Sequence, residues 1–93
     1  MNTNAKTITA ADLDSLRHML GIKQNTPPEN WGYRNYFAAG GTDQVESMER
    51  LVAVGFVRCG GKSGELMYYH ATEEGCRAVG MTGEQTLKAL ESD

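Results

Sequence analysis

Threonine and glycine punctuate this chain, and that punctuation limits what it can fold into. Thr9 is followed three residues on by Asp12, and Thr82 by Gln85. In this spacing a hydroxyl and a carboxyl or amide exchange hydrogen bonds with the first exposed amides of a helix. Thr42 and Thr72 stand just before Asp43 and Glu73-Glu74, acids that suit the positive end of a helix dipole. Gly21, Gly55 and Gly80 close the stretches that follow, at the left-handed stop position glycine occupies without steric penalty. A chain cut this way is a set of short helices around one small core.

Apolar spacing fills in the elements. Leu13, Leu16 and Leu20, with Met19 beside them, form one stripe on a helix expected over about 10–21, and Ile8 and Leu13 are placed as a hydrophobic staple. Residues 23–30 are a polar connector holding both prolines, with Thr26 and Glu29 at capping-box spacing. The aromatic run Trp31, Tyr33, Tyr36 and Phe37 reads as a short helix over 30–39, with Gly32 as its weak point. Val45, Met48, Leu51 and Val52 predict a helix over 43–54. Residues 56–70 read as a hairpin of two strands joined by the loop Gly60–Gly64. A helix capped by Thr72 and a last one carrying Leu87 and Leu90 complete the chain. The division expected is a tail over 1–8, a domain over 9–80 and a C-terminal helix over 81–93.

Composition bounds the class. Of 93 residues, 40% are hydrophobic and 23% charged, which excludes a fully disordered chain. No apolar run approaches the ~18 residues a membrane span needs. The polar start Met1-Asn2-Thr3-Asn4-Ala5-Lys6 reads as no export signal, so a cytoplasmic protein with reduced thiols is expected. The formal net charge of −3 argues against a dedicated nucleic-acid binder, which carries a basic excess.

The run from Val45 to Val79 resembles a stretch shared by winged-helix regulators. Leu51-Val52-Ala53-Val54-Gly55-Phe56-Val57 is followed by a glycine-rich hairpin and then by Thr72-Glu73-Glu74-Gly75. The resemblance implies an α+β winged-helix-like fold: three N-terminal helices, a two-stranded β-hairpin wing and C-terminal helices. A second resemblance rests on Leu16–Ile22, Tyr33–Ala39 and the Thr72–Gly75 ending. Together these are similar to small proteins of tailed phages and prophages, which implies a role in the cytoplasm of a bacterial host cell and transfers no catalytic residue.

Charge decides between the functions such a fold could serve. If the 43–54 helix entered a DNA groove, Gln44, Ser47 and Arg50 would face base edges, with Arg58 and Lys62 from the wing. The same helix carries Asp43, Glu46 and Glu49, and this acidic row would repel phosphates. DNA-binding transcriptional regulation is therefore the alternative. The first reading is protein–protein binding through Asp43, Glu46 and Glu49, with Trp31 and Tyr33 as a second contact surface. A host or phage protein with a basic nucleic-acid groove would be the partner, as in inhibition of a host defence complex in the anti-CRISPR manner. Arg17, Lys23 and Arg34, interleaved with Trp31, Tyr33 and Tyr36, could also stack single-stranded bases, although core packing of the aromatics is the stronger reading. Leu87 and Leu90 mark a candidate homodimer contact.

Catalysis finds no support in the sequence. His18 and His70 lack an orienting partner at a recognisable spacing, and Gly60-Gly61-Lys62-Ser63-Gly64 has the wrong spacing and context for a phosphate loop. Cys59, His70 and Cys76 match no zinc pattern. No enzyme activity, cofactor or metal is expected.

Overall fold

A computed structural model describes residues 8–23 and 25–91. The expected tail therefore lies, apart from Ile8, outside the described residues. Among them, α1 (Ala10–Met19), β1 (Phe37–Ala39), α2 (Thr42–Ala53), β2 (Val57–Ser63), β3 (Leu66–Ala71), α3 (Glu73–Ala78) and α4 (Gly83–Glu91) follow one another, with one 3-10 turn at Pro28–Asn30. The architecture is a small α+β fold of four helices and a three-stranded antiparallel sheet in the order β1-β3-β2.

This corrects the winged-helix-like expectation of three N-terminal helices and a two-stranded hairpin. The 30–39 segment is not a helix. Gly32 takes φ +85°, outside the helical region, and its amide donates to the Leu20 carbonyl at 2.9 Å. A Cβ at Gly32 would stand 2.8 Å from the Gln85 carbonyl, so the chain passes against α4 where only glycine fits. Beyond it Asn35 is buried and its carboxamide clasps β3. Nδ2 donates to the Ala71 carbonyl at 3.1 Å, and Oδ1 accepts from the Ala71 amide at 2.7 Å. Held there, Phe37 to Ala39 pair with Tyr69, Tyr68 and Met67 and become the third strand.

The hairpin also differs from its expectation. The Gly60–Gly64 stretch belongs largely to β2, which runs on to Ser63 with a bulge between Cys59 and Gly61. Ser63 pairs with Leu66, leaving the two-residue loop Gly64-Glu65. Gly64, at φ +63°, holds the first loop position, the place a type II′ turn reserves for glycine.

The helix boundaries follow their caps. Thr9 and Asp12 make both bonds of the capping box on α1, Thr72 accepts from the Gly75 amide, and Thr82 and Gln85 bond reciprocally before α4. Thr42 does not cap α2: Gly41 holds that position with no side-chain bond. The Thr26–Glu29 box is absent too, since the Thr26 hydroxyl accepts from the Lys23 amide and Pro27 stands at the cap of the 3-10 turn.

One core joins these elements. Leu16, Met19 and Leu20 from α1 and Met48 and Leu51 from α2 meet Val57, Tyr69 and Ala71 of the sheet, with Cys76, Met81 and Ala89 behind. Each fully buried leucine or methionine contributes about 1.5–3 kcal/mol. Successive strand side chains point to opposite faces. Tyr69 and Ala71 therefore enter the core, while Tyr68 and His70 lie on the outer face of the sheet.

Candidate interaction surfaces

The strongest polar constellation ties α1 to α2. Asp12 is 0% exposed, and four donors surround its carboxylate. Oδ2 accepts from the Thr9 amide at 3.1 Å and from Arg50 Nε at 2.7 Å. Oδ1 accepts from Arg50 Nη2 at 2.8 Å and from the Ser47 hydroxyl at 2.5 Å. The Arg50 fork, followed by the Ser47 hydroxyl and the Thr9 amide, outweighs desolvation and holds the Asp12 carboxyl well below the usual carboxylate range. The same pairing pushes the Arg50 guanidinium upward.

This cluster determines where the residues considered for DNA contact end up. Ser47 and Arg50 spend their polar groups on Asp12. Gln44 Oε1 accepts from the Gly40 amide at 2.9 Å, closing the turn before α2. Arg58 and Lys62 are exposed on β2. Of the five, Ser47 and Arg50 are bonded to Asp12, Gln44 stays exposed at the start of α2, and Arg58 and Lys62 are exposed on β2.

The acidic row is arranged otherwise. Asp43, Glu46 and Glu49 are all exposed along α2. Arg50 is the only basic residue of that helix; it is paired with Asp12 and also acts on Glu46, so acids outnumber the base on the outward side of α2. Glu49 has an additional task. Its Oε2 accepts from the Tyr69 hydroxyl at 2.9 Å, and burial together with this carboxylate pushes the Tyr69 phenol up to about 12.

Trp31 and Tyr33 differ in exposure. Trp31 is half-buried, its indole donating to the Thr26 carbonyl at 3.2 Å, and with Arg17, His18 and Lys23 it lines a groove of about 580 Å³. Arg17 there is paired with Asp14 at 3.0 Å. Tyr33 is 52% exposed and its ring lies against Gly21. Leu87 and Leu90, considered for self-association, are exposed on α4.

Among the described residues no group of three or more His, Cys, Asp or Glu is arranged to hold a metal. Cys59 is an exposed thiol and Cys76 a buried one, pushed up to about 11 by its burial and by nearby Glu73. His18 meets Phe37 edge-on at 6.3 Å, and His70 Nδ1 donates to the Asn35 carbonyl at 2.7 Å. No helix among the described residues is long and apolar enough to cross a membrane.

Sequence reasoning placed Arg34 with Tyr36 but missed Tyr68. The pairing of β1 with β3 brings Tyr68 beside Tyr36, over whose ring Arg34 lies. The adjacent tyrosines of Leu66-Met67-Tyr68-Tyr69-His70 were the available signal, since one of two neighbouring strand residues faces out.

Comparison of the chain with protein families, with curated proteins and with solved structures finds no match. The side chains themselves therefore carry the functional reading.

Proposed function

We propose that the protein acts without catalysis, by binding another protein through the acidic face of α2. One observation carries this reading. Arg50, the one cation that could offset Asp43, Glu46 and Glu49 on that helix, is turned onto Asp12. Asp12 offsets the charge of Arg50, so the exposed acids, of which Arg50 still reaches Glu46, present a net negative strip, complementary to a basic surface and repelled by nucleic-acid phosphates. A partner with a basic nucleic-acid groove fits this chemistry, and a bacterial host defence complex acting in the cytoplasm is the partner class we put forward.

The test uses Asp43→Asn combined with Glu46→Lys. Glu49 is left intact because it bonds the Tyr69 hydroxyl, so its reversal would disturb the core as well as the surface. Tagged native protein and the double variant are purified from bacterial lysate with and without nuclease. The expected result is a stoichiometric protein partner that survives nuclease and is lost from the variant, while circular dichroism and melting stay near native. The reading fails if the same proteins accompany the variant, or if everything captured disappears on nuclease treatment.

A further inference from the structure

Leu87 is 58% exposed, the most of any large apolar side chain among the described residues, and Leu90 beside it is 36% exposed. Three positions apart on α4, the two leucines stand about 4.5 Å apart along the helix axis, while Ala89 of the same helix is buried in the core. An open groove of about 300 Å³ lies against both leucines and reaches Glu73 and Arg77 of α3. Charge around it is one-sided. Four acids, Glu73, Glu74, Glu84 and Glu91, stand exposed on α3 and α4 against two cations, Arg77 and Lys88. Both cations are engaged: Arg77 forms a salt bridge with Glu73, and Lys88 Nζ donates to the Glu29 carbonyl at 3.4 Å. Glu84 and Glu91 precede and follow Leu87 by three and four positions, so helical spacing puts them on its face. Among the described residues neither carboxylate makes a salt bridge.

We infer that this face docks an amphipathic helix of another protein, one whose apolar stripe is flanked by lysine or arginine. Two independent features converge here. Leu87 and Leu90 match the i, i+3 spacing of apolar side chains on such a helix, and the groove beside them gives those side chains a place to enter. The rim selects the sign of the partner: basic side chains meet Glu84 and Glu91, whereas a helix flanked by acids is repelled by them. A second copy of this chain fits less well, because it brings the same excess of acids to the contact. The site uses α3 and α4 and none of Asp43, Glu46 and Glu49, so it stands or falls separately from the reading of α2.

Fluorescence anisotropy tests it with a labelled peptide of about 18 residues, long enough to form a helix, carrying leucines along one helical stripe and lysines beside them. Two further peptides serve as controls. One scrambles the same composition, which keeps the charge and loses the stripe, and the other keeps the stripe and replaces lysine by glutamate. The lysine peptide is expected to bind, with both controls at least about 10-fold weaker. Leu87→Ala is expected to weaken binding about 10-fold, as truncation of an interface anchor does. Glu84→Gln with Glu91→Gln should weaken it too and flatten its dependence on salt. Asp43→Asn with Glu46→Lys should bind the peptide within about 3-fold of native protein. The proposal is overturned if the lysine peptide does not bind, if the scrambled peptide binds as tightly, or if Leu87→Ala with native melting binds unchanged. Loss of binding in Asp43→Asn with Glu46→Lys overturns it as well, because the peptide then sits on α2. So does a dimer mass by light scattering that Leu87→Ala halves, because a second copy then covers the face. Should Leu87→Ala unfold, an unchanged affinity and salt dependence in Glu84→Gln with Glu91→Gln overturns it equally.

Discussion

Replacing Asp12 with asparagine changes one oxygen to an amide nitrogen at the point where α1 and α2 lock together. All four groups around that carboxylate are donors: the Thr9 amide, the Ser47 hydroxyl and two nitrogens of Arg50. An asparagine keeps one accepting oxygen. Its NH2 does least harm at the Oδ1 position, where the Ser47 hydroxyl can rotate to accept. Arg50 Nη2 then loses its acceptor, and the remaining bond from Arg50 loses its ionic partner. One lost bond to a charged group costs about 1.5–3 kcal/mol. For a domain of this size the melting temperature should fall by roughly 4–8 °C per kcal/mol. Asp12→Ala removes all four bonds, among them the Asp12 half of the capping box, and should cost about 3–5 kcal/mol.

The pH dependence gives a signature that packing damage would not. The folded Asp12 carboxyl lies below its unfolded value, so its contribution is complete above about pH 4 and is lost as pH falls further. An amide at this position has no such loss. Denaturant melts at pH 7 and pH 3 should therefore show the stability gap between the native protein and Asp12→Asn narrowing by about 1 kcal/mol on acidification. A gap that is negligible at pH 7, or that stays constant down to pH 3, would refute the reasoning and return Arg50 to the pool of residues available for ligand contact.

The remaining predictions concern packing and thiols. Gly75→Ala places a methyl 2.0 Å from the Phe56 carbonyl, so it should destabilise by about 1–3 kcal/mol despite the usual helical preference for alanine. Gly83→Ala meets nothing within 4 Å and should be neutral or stabilising by up to about 1 kcal/mol; thermal melts that rank the two the other way would contradict the packing described. A thiol reagent at pH 8 should label exposed Cys59 in the native protein and reach buried Cys76, with its raised thiol, only after unfolding. Rapid modification of both thiols in the native state would show that α3 does not hold Cys76 in the core as described.

How much of this was legible in the residues depends on the distance over which each signal acts. Caps act across three or four residues, so Thr9 with Asp12, Thr72 and the Thr82–Gln85 pair could be read as helix starts, and Gly55 as a stop. The apolar stripe of α1 is likewise local, and so is the acidic composition of α2. The third strand was not legible. Phe37–Ala39 is only three residues long, and its aromatic neighbours fit a helical face equally well. What makes it a strand is the Asn35 carboxamide clasping Ala71, 36 positions away in the chain.

The functional surfaces divide along the same line. Sequence alone determined that Asp43, Glu46 and Glu49 share one side of a helix, because helical spacing puts them there. Whether Arg50 would balance those acids was decided by Asp12, 38 positions earlier, which draws the guanidinium inward. Tyr68 stands beside Tyr36 because β1 pairs with β3, a register no local pattern contains. Short-range hydrogen bonding and periodicity are written in neighbouring residues, whereas strand pairing and buried ion pairs join distant ones and depend on the whole chain having closed around its core.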